Sequence, residues 1–131
     1  VGVTGAVIVT TPQDVAMIDA RKAFNMFRET NVPILGIVEN MSLFSCPSSG
    51  HESPIFGEGG AARSANQSGV DFLGRIPIHI KIREHGDDGR PAVVAPDTPE
   101  PGTASFAAIA SHVVANADRD RPAGEALSLE L

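Results

Sequence analysis

Gly5-Ala6-Val7-Ile8-Val9-Thr10-Thr11-Pro12-Gln13-Asp14 and, further on, Ile34-Leu35-Gly36-Ile37-Val38 decide how this chain is read. Each contains a short apolar, β-branched run with no polar residue at alternate positions, the pattern of a strand buried on both faces of a parallel sheet. Between them a helix is expected. Thr11 offers a hydroxyl cap, Pro12 occupies the first helical position, and Asp14 sets a carboxylate three residues after the cap, near the free backbone N–H groups. Met17, Ala20, Phe24 and Phe27 then recur at helical spacing, and Asn31 before Val32-Pro33 closes the helix. Strand, helix and strand within residues 5–38 make a βαβ unit, whose crossover is right-handed in almost every known case.

Outward from that unit the pattern thins. Residues 39–60 show no period and are rich in Ser, Pro and Gly, so they are expected as a long loop in which the chemistry should be sought. Residues 61–67 suit a short helix closed by Gly69, residues 72–77 a third strand ending at Pro77, and residues 80–85 a helical turn or two. Residues 90–101 read as a Pro-rich connection. Phe106, Ile109, Ala110 and Val113 mark a last amphipathic helix. The expected organisation is one domain over residues 1–116 and a flexible tail over 117–131, with no internal repeat. The fold class expected is α/β, a partial doubly wound parallel sheet.

Composition narrows the function. Sixteen acidic against ten basic residues give a formal charge of -6, and no stretch gathers Lys or Arg into a stripe that would neutralise a phosphate backbone, so nucleic acid is an unexpected partner. The single cysteine, Cys46, excludes an internal disulfide, and no apolar run approaches the ~20 residues that span a bilayer. A cytoplasmic, non-membrane protein is expected. Val1 without a methionine and without a basic-then-apolar leader suggests a fragment cut upstream.

Several segments in order then resemble one family. Residues 5–16, Gly36-Ile37-Val38-Glu39-Asn40-Met41-Ser42, Phe56-Gly57-Glu58-Gly59-Gly60, Leu73-Gly74-Arg75-Ile76-Pro77-Ile78 and Gly89-Arg90-Pro91 are similar to the Mrp/ApbC branch of the deviant-Walker P-loop ATPases, relatives of MinD and ParA. The resemblance covers residues 4–115 and looks like the family's C-terminal portion. It implies a P-loop NTPase-like fold, a homodimer, ATP binding and hydrolysis, and carriage of a [4Fe-4S] cluster to apoprotein acceptors.

Two departures qualify what the resemblance implies. The family's glycine-rich phosphate loop ends in a lysine, yet the only lysines here, Lys22 and Lys81, follow Arg21 and Ile80. The acidic residue that helps hold magnesium would also lie upstream of Val1. Hydrolysis by this chain alone is therefore not expected, and no catalytic residue is assigned. The family also carries Cys-x-x-Cys after the Glu-Asn-Met segment, whereas this chain reads Cys46-Pro47-Ser48-Ser49-Gly50-His51. Ser49 stands where the second thiolate of a subunit-bridging cluster is expected.

By the resemblance, Cys46 is the metal ligand, and Asn40 and Pro77 are the nucleotide contacts, limited to the adenine. An amide supplies the donor and acceptor that an adenine edge requires. Each residue also has a plainer reading: Cys46 as a small apolar filler, Asn40 as a turn former, Pro77 as a strand terminator. His51 is the remaining nearby donor. Gly57, Gly59 and Gly60 are read as permitting backbone turns into the next helix, not as a phosphate cradle. A non-enzymatic scaffold or regulatory member of the same fold is the alternative function, and Ser49 favours it.

Overall fold

The computed structural model describes residues 3–46, 48–94 and 102–119. In chain order its elements are β1 (Ala6–Thr10), α1 (Asp14–Glu29), β2 (Ile34–Ser45), β3 (Glu52–Ser53), α2 (Gly60–Ser68), β4 (Phe72–Ile78), α3 (Ile80–Asp87), a 3-10 turn (Ala92–Val94) and α4 (Gly102–Arg119). β2 is central: it pairs in parallel with β1 on one side and with β4 on the other. β3 adds an antiparallel pair beside the far end of β2. The expected parallel α/β sheet is therefore present.

Helices cover both faces. On one face Ile8, Ile37, Ala61 and Ala65 form a buried cluster against Ala20, Phe24 and Phe27 of α1. On the other, Val38, Leu73, Ile76 and Ile109 pack with Phe106 and Val113 of α4. Adjacent residues of β2, Ile37 and Val38, thus serve opposite cores, which is why the strand could carry no polar alternation. β2 and β4 approach closely, because a Cβ on Gly36 would lie 2.5 Å from Leu73 Cγ and 2.6 Å from Asp71 O.

Four boundaries differ from the sequence reading. The aperiodic stretch after Val38 is not all loop: β2 runs on to Ser45 and returns as β3. Helix α1 starts at Asp14 with Gln13 as an extended cap residue that makes no side-chain cap bond. Thr11 does not cap it, because its Oγ1 donates to Gln13 Oε1 at 3.3 Å instead. Residues 80–87 form a full eight-residue helix, begun by His79 Nδ1 accepting from Lys81 N. The last helix continues past residue 116 to Arg119, where Arg119 Nη1 pairs with Asp71 Oδ2 at 3.1 Å. The expected tail beyond residue 119 and most of the Pro-rich connection lie outside the described residues.

Candidate functional site

The carboxyl ends of β1, β2 and β4 lie side by side, with Thr10 opposite Glu39 and Glu39 opposite Arg75. In open parallel sheets this edge is where ligands bind. Glu39 is fully buried there, the one buried acid among the described residues, with Thr10 and Ser42 as further buried polar residues of the strands. Its Oε2 accepts from Ala61 N at 3.0 Å, so it caps the first turn of α2 from a neighbouring strand. Its Oε1 lies 3.5 Å from Arg75 Nε, and Arg75 Nη1 reaches Glu58 Oε1 at 3.8 Å. One carboxylate therefore ties together the sheet edge, the start of α2 and the loop before it. Gly57, Gly59 and Gly69 all have positive φ, at 91°, 70° and 69°, consistent with turns into and out of α2. Gly60 fits against Pro12 O, which a Cβ would approach to 2.6 Å.

Asn40 follows Glu39 and pairs in register with Ile76, which places it beside Pro77. Two of the residues assigned by resemblance, Asn40 and Pro77, are thus brought together at the sheet's carboxyl edge. Asn40 Oδ1 accepts from Met41 N at 2.9 Å, which orients the amide and leaves Nδ2 as its donor group. Met41 has φ 55°, a left-handed backbone that non-glycine residues rarely adopt. Pairing resumes only at Phe44 opposite Ile78, so β2 advances four residues where β4 advances two. Ser42 Oγ bridges the irregularity by donating to Ile76 O at 3.2 Å. Pro77, which has no N–H to give a ladder, sits opposite this bulge.

Cys46 is placed differently. It lies six positions beyond Asn40 on the same strand line, which at ~3.3 Å per residue is no more than about 20 Å away. Cys46 N donates to His51 O at 2.9 Å and Gly50 N donates to Cys46 O at 2.8 Å, closing a tight turn at the tip of the β2–β3 hairpin. The hydroxyl of Ser49, with backbone N–H groups of Ser48 and Ser49, stabilises the thiolate and lowers the Cys46 pKa to about 7. Ser49 thus serves the sulfur as a hydrogen-bond donor. Among the described residues no three His, Cys, Asp or Glu side chains gather as a metal site.

Sequence reasoning missed Glu39 and Arg75 as a pair. The available signal was a lone acid inside a buried strand, which requires a partner.

The sheet topology and the helices on both faces define the chain as a parallel α/β fold with polar residues at the strands' carboxyl ends. The chain belongs to the ParA family as described for the NUBPL iron-transfer P-loop NTPases, whose profile matches residues 1–114. It is 52% identical over 101 residues to the iron-sulfur cluster transfer protein NUBPL of Dictyostelium discoideum, covering 76% of this chain and 31% of that protein. It is 50% identical over 113 residues to the iron-sulfur cluster carrier protein of Escherichia coli, covering 86% and 30%. The chain thus spans about a third of the length of these relatives. A nucleotide-binding protein of Archaeoglobus fulgidus, solved in complex with ADP, superposes with TM-score 0.61 and 39% identity over 76% of this chain and 41% of its own. The cell division ATPase MinD of Pyrococcus furiosus gives TM-score 0.62 and 26% identity over 86% and 43%.

Proposed function

We propose that this chain is the base-binding and cysteine-bearing portion of an iron-sulfur cluster carrier ATPase. In this reading Asn40 and Pro77 hold the adenine of ATP, and Cys46 supplies a thiolate to a [4Fe-4S] cluster carried between two copies for delivery to apoproteins in the cytoplasm. Magnesium and the phosphates would be held by residues the chain does not contain. The observation that supports it best is that β2 carries Asn40 at the sheet's carboxyl edge and ends at Ser45, directly before Cys46 in the hairpin turn. The Asn40 Nδ2 donor suits a ring-nitrogen acceptor, and a thiol with pKa about 7 is substantially thiolate at neutral pH, the form that binds iron.

The test is anaerobic reconstitution of the purified chain with iron and sulfide, read as metal retained per polypeptide, together with a titration of adenosine. Retention that Cys46→Ser abolishes, and adenosine binding that Asn40→Ala weakens, support the reading. Neither iron nor adenosine bound by the folded chain overturns it. A scaffold that keeps the fold without cluster or nucleotide chemistry is the second reading, and Ser49 in the place of a second cysteine is the feature that favours it.

A further inference from the structure

Helices α1 and α2 share one face of the sheet, and the first turn of α2 meets the entry to α1 where Gly60 fits against Pro12 O. Between the two helices is a cavity of about 90 Å³. Met17 and Ser64 line it as buried residues, while Asp14, Arg21 and Arg63 line it as exposed ones. On α1, Asp14, Met17 and Arg21 recur at spacings of three and four, so one helix face supplies all three. Thr10 Oγ1 donates to Met17 Sδ at 3.6 Å and ties that side chain to the sheet. The polar groups around the cavity do not satisfy one another. Ser64 is only 7% exposed, yet among the described residues its hydroxyl has no hydrogen-bond partner. Arg21 has none either, and Arg63 donates only to Glu58 O, at 2.9 Å. Asp14 lines the same space as both guanidiniums and forms an ion pair with neither. By contrast Arg75, Arg83 and Arg119 each reach a carboxylate.

We infer that this cavity is a binding site for inorganic phosphate, with Arg21, Arg63 and the Ser64 hydroxyl donating to its charged oxygens and Asp14 accepting from its remaining P–OH. Two guanidiniums and a hydroxyl are donors suited to an anion with several acceptor oxygens. The carboxylate selects among such anions. Inorganic phosphate keeps a proton near neutral pH and can donate it to Asp14, whereas sulfate carries none and would set a bare oxygen against the carboxylate. A phosphomonoester, mostly doubly ionised at neutral pH, meets the same repulsion. The buried Ser64 hydroxyl marks the cavity as more than a solvated pair of surface charges, because a polar group withdrawn from water calls for a partner. This inference uses neither Asn40, Pro77 nor Cys46 and stands apart from the nucleotide and cluster assignments.

The experiment titrates the full chain with inorganic phosphate, read by phosphorus NMR and isothermal calorimetry, with sulfate and phosphoserine as comparison anions. The expected result is one phosphate per chain, bound about tenfold or more tightly than either comparison anion. Arg21→Gln and Arg63→Gln should each weaken phosphate binding about tenfold, and Ser64→Ala by a smaller factor. Asp14→Asn should narrow the preference for phosphate over sulfate, a change that a merely structural acid would not produce. Asp14, Arg21 and Arg63 are exposed, so circular dichroism of these variants should match the parent chain. Absence of saturable phosphate binding overturns the inference. So does sulfate or phosphoserine bound as tightly as phosphate, or phosphate binding unchanged in both arginine variants. Displacement of phosphate by adenosine overturns it too, because the anion would then occupy the nucleotide site.

Discussion

At the scale of single residues, the chemistry concentrates on two side chains of opposite exposure. Cys46 stands in a turn where Ser49 and two backbone N–H groups face its sulfur, and its pKa falls to about 7. The rate of alkylation by a neutral reagent such as iodoacetamide should therefore inflect near pH 7, and Ser49→Ala should move the inflection upward, because the first donor to the thiolate is gone. Ser49→Cys exchanges that donor for a second thiol and should raise the iron and sulfide retained on anaerobic reconstitution; equal retention by parent and variant would show that ligand number is not what limits the cluster. Glu39 is the buried counterpart. Glu39→Ala removes the acceptor for Ala61 N and leaves Arg75 without its inner partner, which should cost about 1–3 kcal/mol in urea unfolding. Glu39→Gln retains an acceptor and should cost less.

At the scale of elements, legibility followed chemistry. The buried strands could be read because burial on both faces leaves uninterrupted apolar runs, and α1 because Ala20, Phe24 and Phe27 face one core and Met17 is buried. The second half of β2 was hidden by Glu39, Asn40 and Ser42, polar residues of which two have partners far along the chain: Ala61 and Arg75 for Glu39, Ile76 for Ser42. The left-handed Met41 then breaks the period that a strand would show. Asn40 and Pro77 were assigned through family likeness, and only the bulge between the Asn40–Ile76 and Phe44–Ile78 pairs gives a physical reason for a proline inside β4. The Thr11 cap failed because Thr11 turns to Gln13, a choice the local sequence leaves open. The contact between β2 and β4 gives a sharp test. Gly36→Ala would drive a Cβ into Leu73 and Asp71 O at a φ of 147°, and should lose more than about 2 kcal/mol of stability by thermal or urea unfolding.

At the scale of the whole molecule, two cores share one sheet, and among the described residues no helix is long and apolar enough to cross a membrane. The chain has no Gly-Lys pair, so its nucleotide contacts should be confined to the base. Isothermal titration of adenosine and ATP should then give similar, weak affinities, and purified chain should release no phosphate above a blank in the presence of magnesium. A large preference for ATP would show a phosphate site that the sequence does not announce.

Asn116 has a consequence for the order in which this molecule is made. From the next-to-last turn of α4 its Nδ2 donates to Leu35 O at 2.7 Å and to Asp71 Oδ2 at 2.8 Å, a bond spanning 81 positions to β2. Ile109, on the same helix, closes the second core. A ribosome delivers β1, β2 and β4 before α4, so the nascent sheet has one face covered by α1 and α2 while the other carries only Ile82 of α3 until α4 emerges. Such a half-covered sheet is the kind of intermediate that chaperones retain. Arrest of translation at residue 105 should yield nascent chains that stay protease-sensitive and chaperone-bound, while release after residue 119 should free them.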